Sequence, residues 1–244
     1  MDRASWLAAR REGIGASDIA GIMGVSPYTT PFQVWASKVY DLPEQTDDEA
    51  MLWGHLLEQV ILDEWADRNW PVTYRGALVR SIEHPRFMAT PDGITQDRAV
   101  VEAKNSSDWR WDEVPDHYRL QVQWQLVVTG YSVGYLAVLF GGRRLETFEI
   151  EADPDLQAEM IQAANDFWEL VEANEAPPVE ADDSTLMSAL WPTSDERATE
   201  LPLETAQELY LARDARDAGK RRYEAVVASV KESMREADTA VYGQ

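Results

Sequence analysis

Residues 88–107 read MATPDGITQDRAVVEAKNSS, and the fold turns on how this stretch is read. Pro91-Asp92-Gly93 is turn chemistry: proline presets its own φ and glycine tolerates a tight reversal. Ile94-Thr95 and Ala99–Lys104, either side of Gln96-Asp97-Arg98, predict a hairpin. Successive strand side chains point to opposite faces, so Glu102 and Lys104 share one face and Val101 and Ala103 the other. Charges on a wet face cost nothing. On a buried face they need a reason.

Outward from this stretch, the chain alternates helical and strand-like patterns. Upstream, Val72–Tyr74, Ala77–Ser81 and Arg86–Thr90 predict short strands. Residues 49–69 are strongly helical, with Gly54, Glu58, Ile61, Leu62 and Trp65 on one stripe. Gly54 is expected to let that helix approach its neighbours closely. Residues 41–49 form an acidic loop, and Thr30-Pro31 starts a helix running to Val39. Before it, Gly13-Ile14-Gly15-Ala16 reads as a tight turn, with Ser17 as N-cap of a short first helix over Asp18–Met23. Downstream, a loop over 105–115 carries two tryptophans, and a helix over His117–Val128 closes at Gly130. Ser132–Phe140 and Leu145–Ile150 predict a hairpin around Gly141-Gly142, followed by a helix over Leu156–Asn174. Pro177-Pro178 and the acidic run to Asp183 mark a boundary. The expected organisation is an α/β domain over 1–180, then an acidic linker and helical extension over 181–244. In the extension, one helical pattern runs from Glu204 to Ala237, interrupted at Gly219.

Composition narrows the chemistry. The 244 residues include no cysteine and three histidines, so any metal site is built mainly from oxygen ligands, which suits Mg²⁺, Mn²⁺ or Ca²⁺. No apolar run reaches the roughly 18 residues of a membrane span, and MDRASWLAARREG lacks the apolar core of a signal peptide. Cytoplasmic residence is the expectation. The net charge of −22 argues against a protein that coats nucleic acid. It is unevenly spread: residues 146–200 hold sixteen Asp or Glu and one basic residue, Arg197. The basic residues cluster elsewhere, at Arg10-Arg11, Lys104 with Arg110, Arg143-Arg144 and Lys220–Arg222. A polyanion would have to meet one of these local surfaces, in a salt-sensitive way.

A Glu-x-Lys triplet arises by chance about once in a chain of this length, so a solvated strand face with a same-side ion pair is the bland alternative. Three features weigh against it. An antiparallel return brings Asp92 beside Glu102, and two close carboxylates repel unless a cation sits between them. A divalent metal supplies that cation, and Lys104 beside it would orient or deprotonate a water for attack on phosphorus. Glu58 lies on the apolar stripe of its helix, as a further ligand or as a side chain snorkelling at the stripe's edge. Gln121 and Gln125 stand four apart on a later helix, one turn beyond Tyr118. For Gln125 the expected role is solvation of the polar face.

Pro91-Asp92, a spacer and Glu102-Ala103-Lys104 together resemble the signature of the PD-(D/E)XK nuclease superfamily. Flanking blocks resemble, more specifically, the lambda-exonuclease or YqaJ-type viral recombinase family. They are Trp6 and Arg10 with Gly13-Ile14-Gly15-Ala16-Ser17; Trp53-Gly54-His55-Leu56-Leu57-Glu58; and Tyr118-Arg119-Leu120-Gln121-Val122-Gln123 with Val128-Thr129-Gly130. They occur in the family's order across about residues 6–175.

The resemblance implies a restriction-endonuclease-like core, a central mixed β-sheet flanked by helices, with a C-terminal helical extension. It implies a Mg²⁺-dependent exonuclease, with Mn²⁺ as substitute, that digests double-stranded DNA from free 5′ ends. The 3′ single strands would pass to a phage annealing protein in a bacterial host. Asp92 and Glu102 match the metal ligands, the Ala103 carbonyl an additional one, and Glu58 the helix-borne acid. Lys104 matches the water-positioning lysine and Gln121 its supporting glutamine. Arg10 and Ser17 match contacts to the 5′-terminal phosphate, which a helix N-terminus after a glycine-rich turn would also favour. A plain N-cap is the other reading of that turn. Relatives form ring-shaped homotrimers, so a homo-oligomer is implied. Two alternatives keep the same core: an endonuclease or nickase, and a noncatalytic DNA-end-binding module. The tail would be a solvated or oligomer-packing helix, a docking arm for the annealing protein, or a DNA clamp.

Overall fold

A computed structural model describes residues 3–42, 48–192 and 198–235. Residues 43–47 of the acidic loop and the last positions of the long helical pattern lie outside the described residues. The chain divides into two compact units, 1–191 and 192–244.

The first unit runs α1 (Arg3–Arg11), α2 (Ile19–Ile22), α3 (Pro31–Val39), α4 (Glu49–Arg68), β1 (Val72–Arg75), β2 (Val79–Arg80) and β3 (Met88–Ala89). It continues with β4 (Gly93–Thr95), β5 (Val100–Ser106), α5 (Asp116–Thr129), β6 (Val133–Phe140), β7 (Arg144–Glu151), α6 (Pro154–Ala173) and α7 (Ser184–Leu190). Local chemistry sets several of these ends. Thr30 caps α3 by accepting from the Gln33 N–H, with Pro31 in the first turn. Asp48 does the same for α4 through Met51. Gly130 ends α5 in the left-handed conformation, where a side chain would be strained.

The five-stranded sheet has the order β1-β4-β5-β6-β7 and is mixed: β5 and β6 pair in parallel, the other neighbours antiparallel. The predicted hairpin is β4–β5, with Gly93 opposite Val101. Helices cover both faces. From α4, Ile61, Leu62 and Trp65 pack on Val101, Ala103 and Ala137. On the other face, Val122 and Leu126 of α5 pack on Val100, Leu136 and Val138. Gly134 permits this contact, since a Cβ there would stand 2.6 Å from Val122 Cγ1 and 2.7 Å from Val100 Cγ2. A third cluster joins α2, α3, α6 and the back of α5 through Ile19, Phe32, Trp35, Trp124 and Phe167. Each such side chain fully buried contributes about 1.5–3 kcal/mol.

Four expectations are corrected. The short helix α2 begins at Ile19 with Asp18, not Ser17, in the capping position, and a further helix, α1, precedes it. Gly54 makes no close approach; a Cβ there would meet open space. The boundary expected at 180 falls later, because Asp183 is fully buried, accepting from the Thr30 hydroxyl, and Leu186, Met187 and Leu190 pack on the third cluster. In the second unit, α8 (Leu203–Met234) runs unbroken through Gly219, and none of its residues is buried.

Candidate active site

Because the strand period is two, β5 sends Glu102 and Lys104 to the α5 face and gives Val101 and Ala103 to α4. Glu102 is 3% exposed, and both oxygens of its carboxylate accept hydrogen bonds. Oε1 accepts from Lys104 Nζ at 2.6 Å and from Gln121 Nε2, and Oε2 accepts from Gln125 Nε2 at 2.6 Å. A buried carboxylate of this kind persists only when it is paired and hydrogen-bonded. The solvated-face alternative is therefore excluded for Glu102.

The β4–β5 register carries Asp92 to the same place, and Asp92 Oδ2 accepts from the Ala103 N–H at 2.8 Å. Ala103 thus lies between Glu102 and Lys104 with its amide committed to Asp92. Burial, and then the charge of Glu102, push the Asp92 carboxyl well above the ordinary carboxylate range; Lys104 opposes this. Glu58, half-buried on α4, is raised by burial first and by Glu102 second. Burial alone would depress the Lys104 ammonium, but Glu102 and Asp92 outweigh it and hold the lysine above its usual range. In this state Lys104 is a proton-bearing donor. It also lies 5.3 Å over the Tyr118 ring, whose phenol burial and Tyr28 push up to about 12.

Three carboxylates therefore face one ammonium. Among the described residues no group of three or more His, Asp or Glu side chains stands close enough to form a ready-made metal cage. The donor set nonetheless fits a hard divalent cation. It offers oxygens only, and the two acids with raised pKa values register repulsion that such a cation would relieve.

Arg10 and Ser17 are brought together, with Arg10 Nη2 donating to Ser17 Oγ at 2.7 Å. The helix-terminus rationale for an anion site fails here. The helix α2 has four residues, and Asp18 itself takes the turn amide, accepting from Gly15 N–H at 2.8 Å. Asp18 also pairs with Arg10 at 3.0 Å and with Lys38 at 2.6 Å. Burial would raise Asp18, but Lys38 and Arg10 together pull it down to about 2. Two cations against one carboxylate leave a single positive charge. Beside it opens a cavity of about 100 Å³ lined by Trp6, Arg10, Ser17, Thr90 and Gln121. Gln121 thus touches both the cavity and Glu102.

Sequence reasoning missed Gln125, Asp18 and Lys38. Gln125 had the right spacing from Gln121, but a solvated stripe has the same spacing. Asp18 and Lys38 are twenty residues apart, and no local pattern joins them.

A family model described as the YqaJ-like viral recombinase domain matches residues 5–132. The chain is 35% identical over 178 residues to the uncharacterized protein YqaJ of Bacillus subtilis (strain 168), covering 69% of this chain and 56% of that one. It therefore spans little more than half the length of this relative. The fold is similar to that of the alkaline exonuclease LHK-Exo from Laribacter hongkongensis, with a TM-score of 0.59, 21% identity and coverage of 70% of this chain and 93% of the other. A phage related exonuclease from Haemophilus somnus 129PT shares it with a TM-score of 0.52 at 13% identity, covering 66% and 96%.

Proposed function

Since the chain belongs to the YqaJ-like viral recombinase family, we propose that it is a metal-dependent exonuclease. It hydrolyses double-stranded DNA 5′ to 3′ from free ends and leaves 3′ single strands for annealing. The observation that carries this reading is the bonded chain Lys104–Glu102–Gln121, set beside Asp92 and ending at the Arg10 cavity.

Asp92, Glu102 and Glu58, with the Ala103 carbonyl, would hold Mg²⁺, or Mn²⁺ in its place. Such a cation supplies Lewis acidity at the scissile phosphate and acidifies a nearby water. The residues do the rest. Lys104 donates a hydrogen bond that orients the attacking water, and its ammonium offsets charge growing on the phosphate oxygens. Gln121 holds Glu102 Oε1 on one side and borders the cavity on the other, coupling the centre to the strand end. Arg10, with the surplus charge of its cluster, and Ser17 take the 5′-terminal phosphate. In this reading the annealing protein and a ring of copies of this chain are the partners. Among the described residues no helix is long and apolar enough to cross a membrane.

The test is digestion of linear duplex DNA bearing a 5′ phosphate, beside a covalently closed circle, with Mg²⁺, with EDTA and with Lys104→Ala. Mononucleotide release from the linear DNA alone, dependent on Mg²⁺ and lost in the mutant, is the expected result. Cutting of the circle would assign an endonuclease. Ends bound but never cut would leave a binding module.

A further inference from the structure

Gln125 is fully buried on α5, yet its amide is mostly unused. Nε2 donates to Glu102 Oε2 at 2.6 Å, while Oε1 is buried and no protein donor reaches it. The orientation is forced, because turning the amide over would set its oxygen against the carboxylate. A buried acceptor without a donor costs stability, and the bond that offsets this cost is the one to the buried Glu102 carboxylate. Lys104 and Gln121 both hold Oε1 of that carboxylate, and only Gln125 holds Oε2 among the hydrogen bonds of the described residues. Without it the carboxylate could swing about the doubly held oxygen.

We propose that Gln125 is a positioning residue of the catalytic centre, fixing the second carboxylate oxygen of Glu102. This rests on the nuclease reading above. Gln125 has no access to the cavity that Gln121 lines, so it acts through Glu102 and not on DNA.

Gln125→Met and Gln125→Leu test it with three measurements on the full chain. These are the melting temperature in EDTA, Mn²⁺ affinity by calorimetry without DNA, and kcat and KM on linear duplex. Expected are a lower melting temperature, because the buried Glu102 oxygen loses its donor, Mn²⁺ affinity or kcat reduced by about 10- to 100-fold, and an unchanged KM for DNA. A lower melting temperature with Mn²⁺ affinity and kcat intact would make Gln125 merely structural, as would failure of both variants to fold. If the wild type binds Mn²⁺ and cuts, and neither variant differs from it, the positioning role alone falls. A wild type that does neither overturns the nuclease reading together with the positioning role.

Discussion

Lys104 and Asp92 carry opposite liabilities in one small volume. Lys104 is held in its charged form by the acids around it, so losing it removes a donor and leaves Glu102 buried and under-compensated. Lys104→Ala is expected to lower cleavage by about 10²–10⁴-fold while DNA ends remain bound, as a gel-shift assay in EDTA would show. Asp92 has its folded pKa raised by burial and by Glu102. The cation-free fold is thus favoured at low pH, where Asp92 is protonated, and loses that contribution as pH rises through the raised value. Asp92→Asn should therefore melt higher than wild type at pH 7–8 without metal, by about 2–4 °C for each kcal/mol relieved. The gap should close as pH falls toward the unfolded carboxylate value of 3.8. Added Mg²⁺ should raise the wild type and not the mutant. Asp18 behaves oppositely: its stabilisation is present above the unfolded value and is lost as pH falls toward about 2. Lys38 is 3% exposed against Asp18. Lys38→Met should cost about 3–5 kcal/mol, read by urea denaturation, since it removes one of two cations from a buried carboxylate.

At the scale of elements, the site depends on α5 lying hard against the sheet. Gly134→Ala would drive a methyl into Val122 and Val100, cost about 1–3 kcal/mol and lift the helix that delivers Gln121 and Gln125. Its expected signature is a lowered melting temperature together with lowered kcat, against a smaller change in KM. Much of this level was legible in the sequence. The period-two placement of Glu102 and Lys104, the Thr30-Pro31 start and the Gly130 stop all appear as read, because each is set by chemistry within a few residues. What escaped was decided by distant contact. Ser17 has the composition of an N-cap, but the Lys38 ammonium arriving from α3 makes Asp18 the residue that organises the turn. Gln125 looked solvated because burial of α5 on that side comes from β5, which a helical wheel does not show.

The whole molecule is two units, and among the described residues every core cluster lies within the first. A chain ending at Trp191 should fold with an unchanged melting temperature and retain Mg²⁺-dependent cleavage. A chain ending at Glu180, where the sequence suggested the boundary, loses buried Asp183 and the packing of Leu186, Met187 and Leu190. It should melt about 5–10 °C lower; equal melting of the two truncations would refute the placement of α7. The acidic composition of residues 175–183 hid this element, since charge and paired prolines are what a linker shows.

The bond between Thr30 and Asp183 has a bearing on how the protein is born. It joins positions 153 residues apart. At bacterial or eukaryotic elongation rates of roughly 5–20 residues per second, Thr30 waits about 8–30 s on the ribosome for its partner. During that interval α3, with the Lys38 that steadies the Arg10 cluster, is anchored only by earlier contacts. The third core cluster, which α7 joins, is thus completed last, so a stalled nascent chain would carry β5 and its acids before the bond that pins the start of α3 could form.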